Sequence, residues 1–172
     1  MDLNKSFSDS RVVLMCGISG SGKTVFARAL QELGFTRLSA DGLIWEKYGD
    51  GFVSLPFSER RLIFQKLDDM LADELCHLLD SGNRVVVDST MCKRSKRDNM
   101  RRTCARYGLE PQIVYLNAPL EVLRRRLSKR TGNGHDDQIV STEQLQGFYA
   151  NFEPPQPDET CLEIIQHNDE IK

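Results

Sequence analysis

Residues 17–24 have the types and spacing of a loop that binds phosphate groups. The segment GISGSGKT matches the pattern G-x-x-x-x-G-K-[ST], directly after a β-branched run and at the start of a helical pattern. Gly17, Gly20 and Gly22 allow successive backbone amides to converge on one point without obstruction by Cβ atoms. The first turn of the following helix adds unpaired N–H groups and the positive end of its dipole. The pattern therefore predicts a polyphosphate site.

Individual side chains of this segment are expected to bind ATP and Mg²⁺. Lys23 is expected to neutralise β- and γ-phosphate oxygens, and the Thr24 hydroxyl to ligate Mg²⁺. Ser19 and Ser21 complete the expected nucleotide contacts with the glycines. Asp88 ends the segment RVVVD, where a carboxylate can hold the Mg²⁺ shell opposite Thr24. The alternative for Asp88 is a surface strand end or a helix cap.

A second acidic residue is a candidate general base. Asp41 follows a predicted strand, and parallel sheets present the carboxyl ends of their strands to a ligand crevice. There it could accept the proton of an attacking hydroxyl. The alternative is a turn residue, because Gly42 comes next. The sequence leaves open whether Asp41 or Asp88 is the proton acceptor.

Several arginines are candidates for charge neutralisation. Arg126 and Arg130 are four residues apart, hence on one face of a predicted helix, and a glycine-containing loop follows them. The arginine fork spans two phosphate oxygens and stays charged. In a second, basic helix, Arg94 and Arg97 are candidates for phosphate or acceptor contacts.

These residues must be positioned by alternating strands and helices. Strands are predicted at 11–16, 35–39, 84–88, 112–116 and 161–166, and helices at 24–33, 58–79, 93–107, 119–130 and 141–151. Such alternation implies a mostly parallel sheet with helices on both faces. Residues 40–57 are predicted to be mostly loop with short helical pieces. Their aromatic residues Trp45, Tyr48 and Phe52 are expected to line the acceptor pocket or, alternatively, to belong to the core.

Composition and charge limit the protein class. A chain of 172 residues, 40% hydrophobic and 28% charged, is expected to form one globular domain, 1–172. We expect no membrane segment and a cytoplasmic location with reduced thiols, since the five cysteines have no paired spacing. Residues 93–130 carry twelve basic and three acidic residues (+9), whereas the remainder carries eleven and twenty-two (−11). The segregation suggests an anionic ligand or, equally, solvated helix faces.

Together these motifs resemble a known family. GISGSGKT, LSAD (38–41), VVVDST (85–90), YLNAPLEVLRRRLSKR (115–130) and FEPPQPDE (152–159) are similar to small P-loop kinases, above all polynucleotide 5′-hydroxyl kinase domains and zeta-toxin-like kinases. The resemblance implies the P-loop nucleoside triphosphate hydrolase fold of the kinase type, with a five-stranded parallel sheet in the order 2-3-1-4-5. It implies a lid at about 124–141 that carries Arg126 and Arg130, and a general base at Asp41. It also implies that FEPPQPDE lies beside the nucleotide base.

The expected activity is transfer of the ATP γ-phosphate to a hydroxyl acceptor, a polynucleotide 5′-end or a small molecule. Polynucleotide kinases usually carry an arginine beside the base, where this chain has Ser39-Ala40 before Asp41, and this difference disfavours a nucleic-acid acceptor. The alternatives are a nucleoside or nucleotide kinase, and an ATP-binding switch with little transfer activity. ATP and GTP are not distinguished, since no NKxD motif is present.

Overall fold

Strands and helices alternate along the chain. The computed structural model describes residues 2–49, 51–130 and 139–166. Its strands are β1 (Val12–Cys16), β2 (Phe35–Ser39), β3 (Arg84–Asp88), β4 (Gln112–Asn117) and β5 (Cys161–Ile165). Its helices are α1 (Leu3–Ser6), α2 (Lys23–Glu32), α3 (Ala40–Tyr48), α4 (Gly51–Ser54), α5 (Phe57–Asp80), α6 (Arg94–Ala105), α7 (Leu120–Leu127) and α8 (Thr142–Ala150).

The five strands form one parallel sheet in the order β2-β3-β1-β4-β5. The central strand β1 pairs with β3 through Val13 opposite Val86, and with β4 through Leu14 opposite Ile113. All five β1 residues are buried, as expected of a strand covered on both faces. The predicted fold class and strand order are confirmed.

Alternate residues of β1 pack into two different hydrophobic layers. Val12, Leu14 and Cys16 pack with buried residues of α5 and α6, which include Leu67, Leu71, Leu75, Leu79, Met100 and Cys104. Val13 and Met15 pack on the other face with Phe26, Ala27 and Leu30 of α2. Because the sheet is anchored on both faces, the carboxyl ends of its strands form a rigid edge.

The segment before β1 belongs to the second of these layers. Phe7 is 1% exposed and meets Phe26 edge to face, with ring centroids 6.0 Å apart. Arg84 donates a hydrogen bond from Nη2 to the Phe7 carbonyl, and its guanidinium carbon lies 4.0 Å from the centroid of the Phe35 ring. The N-terminal segment is thus fastened to the strands β2 and β3.

The segment 40–57 contains the expected short helical pieces, but the prediction that it is mostly loop is wrong, because residues 40–48 and 51–54 are helical. Residues 40–48 form the helix α3, whose N-cap Ser39 accepts a hydrogen bond at Oγ from the Gly42 amide, 3.1 Å away. Ala40 and Ile44 are buried one helical turn apart, so tertiary packing stabilises the helix despite the glycine. Gly49, with φ of 54°, ends it.

The described helices differ in length but none is strongly apolar. No helix in the described part of the chain is both long and apolar enough to cross a membrane. All five cysteines are free, and burial raises the pKa of Cys16 and of Cys104 to about 12. These two thiols are therefore protonated at neutral pH and act as packing groups.

Candidate active site

The glycine-rich loop after β1 has the backbone geometry that its sequence predicts. Gly17, Gly20 and Gly22 have φ of 145°, 87° and 94°. A Cβ on Gly17 would lie 2.7 Å from Ser21 Oγ and 2.8 Å from the Leu116 carbonyl oxygen, so only glycine fits there. Gly22 is the N-cap of α2 and offers no side chain to the first amides of the helix. Those amides are left for a ligand.

Lys23 is the centre of a cluster of predicted site residues. It is 9% exposed, and its Nζ donates to the Ile18 carbonyl 3.0 Å away. Burial lowers the pKa of Lys23, the carboxylates of Asp88 and Asp41 act to raise it, and Arg130 lowers it further. The charges of Asp41, Asp88 and Arg130 therefore all act on the Lys23 ammonium group.

The oxygen atoms near Lys23 fit a magnesium ion that arrives with its nucleotide. Thr24 lies in the first turn of α2, and its hydroxyl makes no hydrogen bond within the described residues. Asp88 ends β3 and is 6% exposed. Among the described residues, no three His, Cys, Asp or Glu side chains form a metal-binding group. A site with only the Thr24 and Asp88 oxygens suits Mg²⁺, which typically binds through one or two protein oxygens and completes its coordination with phosphates and water.

Asp88 has a partner that sequence reasoning missed. Arg37 of β2 donates from Nε to Asp88 Oδ2 over 2.8 Å, and its Nη2 lies 2.6 Å from the same oxygen. Parallel pairing places Ser39 opposite Asp88, so Arg37 reaches the Asp88 carboxylate from two residues upstream. In the sequence FTRLS, nothing marks Arg37 as a site residue, since its role depends on the register of two strands.

Asp41 lies in the first turn of α3, on the helix face that also bears Trp45. Trp45 is 45% exposed. Tyr48 and Phe52, by contrast, are partly buried against the hydrophobic core, with ring centroids 6.2 Å apart, and Phe52 meets Phe64 edge to face at 5.6 Å. The predicted general base thus lies one helical turn from an aromatic side chain.

The two arginines of the predicted lid have different positions. Arg126 donates from Nη1 to the Gly20 carbonyl, 3.3 Å away, and to the side chain of Gln166, whose Nε2 binds the Ser21 carbonyl. Arg126 therefore contacts the backbone of the phosphate loop, whereas Arg130 acts on the charge of Lys23. Of the predicted lid, 124–141, residues 131–138 lie outside the described residues.

The segment 152–159 lies beside the loop and is anchored by Arg97. The Phe152 ring stacks on Tyr115 at 5.4 Å, and both line a cavity of about 130 Å³ with Ile18 and Ser21. Arg97 is completely buried and ion-paired with Glu159, so the expectation that it contacts phosphate or acceptor is wrong. Nothing in its local sequence distinguishes a buried arginine from a solvated one.

Arg94 lies on the surface at the start of α6. It is ion-paired with Asp158, and its backbone amide donates to Glu153 Oε2 over 2.9 Å. These contacts tie the start of α6 to the segment 153–159. The positive charge of Arg94 is therefore paired with a carboxylate of the same protein.

A central strand, a glycine-rich phosphate loop and a sheet of order 2-3-1-4-5 define the P-loop kinase fold. The chain belongs to the AAA domain family, whose model matches residues 12–155. The resemblance to P-loop kinases that the motifs indicate is thereby confirmed, and the fold is of the kind that binds nucleotides.

Three solved structures illustrate the similarity. A sugar kinase from Janibacter sp. HTCC2649 is 25% identical, with a TM-score of 0.68 over 91% of this chain and 85% of its own. An APS kinase from Mycobacterium tuberculosis, in complex with AMPPNP and APS, is 22% identical, with a TM-score of 0.59 over 92% and 90%. A chain of the Pnkp1/Rnl/Hen1 RNA repair complex is 20% identical, with a TM-score of 0.65 over 81% of this chain and 43% of its own. The last two show the fold alone.

Proposed function

We propose that the protein is an ATP- and Mg²⁺-dependent phosphotransferase whose acceptor is a hydroxyl group of a small molecule. The observation that carries this proposal is the glycine-rich loop that ends in the buried Lys23 at the start of α2, where the charges of Asp41, Asp88 and Arg130 act on the Lys23 ammonium group. Phosphoryl transfer needs little covalent chemistry from the protein. It needs positioning and charge neutralisation, and these residue types supply both.

Each residue has a distinct task in the proposed reaction. The loop amides and Lys23 bind the phosphate chain, and Arg130 neutralises charge that develops on the γ-phosphoryl oxygens. Thr24 and Asp88 would hold Mg²⁺, which supplies further charge neutralisation between the β- and γ-phosphates. Asp41 orients the acceptor hydroxyl and takes its proton. Arg126, which binds the Gly20 carbonyl, supports the loop and belongs to the proposed lid at 124–141.

The charge pattern supports a small acceptor over a polynucleotide. Five of the six basic residues of α6 and of its N-cap are engaged within the protein, in ion pairs of Lys93 with Glu153, Arg94 with Asp158, Lys96 with Asp68, Arg97 with Glu159 and Arg101 with Glu110. A protein that binds nucleic acid presents its cations to phosphates instead. Four acidic residues outside 93–130, namely Asp68, Glu153, Asp158 and Glu159, therefore balance part of the excess positive charge of this segment.

The test is phosphate transfer from γ-labelled ATP with Mg²⁺ to three acceptor sets: sugars and polyols, nucleosides, and 5′-hydroxyl oligonucleotides. We expect a labelled small-molecule product. Asp41→Asn should slow its formation about a hundredfold and leave ATP affinity in calorimetry unchanged, because only the proton acceptor is lost. If Asp41→Asn strongly lowered the ATP affinity instead, Asp41 would take part in nucleotide binding and not in activation of the acceptor.

Two alternatives have distinct signatures in the same assay. A nucleoside or nucleotide kinase, favoured by the exposed Trp45 near Asp41, predicts that only nucleosides or nucleotides are labelled. An ATP-binding switch predicts tight ATP binding, no labelled acceptor and no effect of Asp41→Asn.

A further inference from the structure

Arg37 holds the carboxylate of Asp88 by one oxygen. Arg37 contacts Asp88 Oδ2 from Nε at 2.8 Å and from Nη2 at 2.6 Å. The two side chains are only 12% and 5% exposed, so the pair is shielded from solvent. Charge-assisted contacts of this kind fix geometry as well as charge. The plane of the Asp88 carboxylate is therefore set by a residue of the neighbouring strand.

The other oxygen of Asp88 is left for the site. Within the described residues, no hydrogen bond reaches Oδ1. The negative charge of Asp88 also acts to raise the pKa of Lys23, so the carboxylate that Arg37 contacts belongs to the electrostatic environment of the phosphate loop. Since Arg37 takes Oδ2, Oδ1 is the atom that can face a ligand of the phosphate loop.

Arg37 also contacts the residue that begins α3. Its Nη2 lies 3.4 Å from Ser39 Oγ, and that oxygen accepts the Gly42 amide at 3.1 Å. Ser39 is the N-cap of the helix whose first turn contains Asp41. One guanidinium group thus links the carboxylate at the end of β3 to the helix start that positions the candidate base.

We propose that Arg37 is a positioning residue of the phosphotransfer site, which presents Asp88 Oδ1 to the metal–nucleotide complex and fixes the start of the helix that carries Asp41. The proposal rests on the proposed function, since it assigns Arg37 a part in the same site. Residues that orient a metal ligand typically change metal affinity about tenfold or more when replaced.

The test is calorimetry of AMPPNP binding with Mg²⁺ and with EDTA, for the full-length protein and its variants. The ratio of AMPPNP affinity with Mg²⁺ to AMPPNP affinity with EDTA is expected to be about tenfold smaller in Arg37→Gln than in the wild type. The affinity measured in EDTA should be unchanged. Arg37→Lys keeps a cation and should recover part of the gain. Thr36→Val is the matched control, because Thr36 lies on the same strand but binds Asn83, and it should behave as wild type.

A double variant separates positioning from general damage. If Arg37 acts on the metal through Asp88, Arg37→Gln/Asp88→Asn binds Mg·AMPPNP as Asp88→Asn alone does. This comparison stands even if Arg37→Gln by itself fails to fold, since the double variant removes both buried charges together. An additive loss, an unchanged Mg²⁺ gain in Arg37→Gln, or an equal loss of metal-free affinity would overturn the proposal. Failure of the wild-type protein to bind Mg·AMPPNP would instead overturn the proposed function.

Discussion

Arg97 and Glu159 form a fully buried ion pair that joins α6 to the segment before β5. Arg97 Nε lies 2.6 Å from Oε1 and Nη2 lies 3.0 Å from Oε2, and both side chains are 0% exposed. Arg97 Nη1 also donates to the carbonyls of Met91 and Glu153, at 2.9 and 2.8 Å. One guanidinium group of α6 thus binds two other segments of the chain, at Met91 and at 153–159.

Breaking this pair is expected to destabilise the fold strongly. Arg97→Met should lower the free energy of unfolding by about 3–5 kcal/mol, because Glu159 is left as a buried charge without its partner. The double variant Arg97→Met/Glu159→Leu should lose much less, since both charges are gone. Urea unfolding measures both values, and equal losses in the two variants would contradict this account.

The same pair predicts a dependence of stability on pH. Burial alone would raise the pKa of Glu159, but hydrogen bonds from Arg97 and from the Gln156 amide bring it below the usual 4.5. A carboxyl whose pKa is lower in the folded state contributes stability above its unfolded pKa, and loses it as the pH falls through the folded one. Wild-type protein should therefore lose stability below about pH 4.5 more steeply than Glu159→Gln. Urea unfolding across the acid range provides the measurement, and parallel profiles would refute the prediction.

Lys23 can be tested separately for catalysis and for folding. Lys23→Ala should abolish phosphate transfer, because it removes the cation that neutralises the β- and γ-phosphates. The melting temperature should change little, since the buried ammonium is already penalised by desolvation, which lowers its pKa. Arg28→Ala, at an exposed position of the same helix, serves as the control. Retained turnover in Lys23→Ala would contradict its proposed role.

The loop glycine Gly17 offers a matched comparison with Gly34. Both have positive φ, 145° and 85°, but a Cβ on Gly34 would have no atom within 4 Å. Gly34→Ala should cost only the backbone strain, about 1–2 kcal/mol. Gly17→Ala should cost more and abolish ATP binding, because its Cβ would meet the Leu116 carbonyl oxygen at 2.8 Å. Equal unfolding free energies for the two variants would contradict this prediction. They would show that the backbone moves the Leu116 carbonyl oxygen away from the new Cβ without loss of stability.

Trp45 is the single tryptophan of the chain, and its fluorescence reports on the surface next to Asp41. Binding of the acceptor found in the transfer assay should change its emission. Trp45→Ala should raise the acceptor KM by about tenfold at similar ATP affinity, as expected for the loss of an aromatic contact. Ile165→Ala truncates another exposed side chain at the opposite edge of the sheet. It should change neither the acceptor KM nor the response of the Trp45 emission to the acceptor. An unchanged KM in Trp45→Ala would place the acceptor elsewhere.

Local sequence patterns predicted the scaffold well, because each depends on neighbouring residues. The buried β-branched strands, the capping-box helix at Ser141 and the glycine-rich turn all form where the patterns predict them. The extent of α3 was underestimated because its stability comes from Ala40 and Ile44 packing in the core, which outweighs the unfavourable glycine at position 42.

The site was predictable only where its residues belong to one motif. The partners Arg37 and Asp88 are 51 residues apart, and Arg97 and Glu159 are 62 apart. Both pairs depend on strand register and on burial, which no local pattern encodes. The sequence therefore indicated the residues of the phosphate loop, but not the arginine that orients Asp88 or the burial of Arg97.

The attachment of Phe7 to the sheet has a practical consequence for N-terminal truncation of the protein. The family match begins at residue 12, which invites a shortened version starting at β1. Such a truncation would remove a side chain that is 1% exposed and uncover Phe26 and Phe35, at a cost of about 1.5–3 kcal/mol for the lost aromatic ring alone. It would also deprive the Arg84 guanidinium of two of its carbonyl acceptors, those of Phe7 and Ser10. Residues 2–11 are therefore part of the folding unit and should be retained in any expressed fragment.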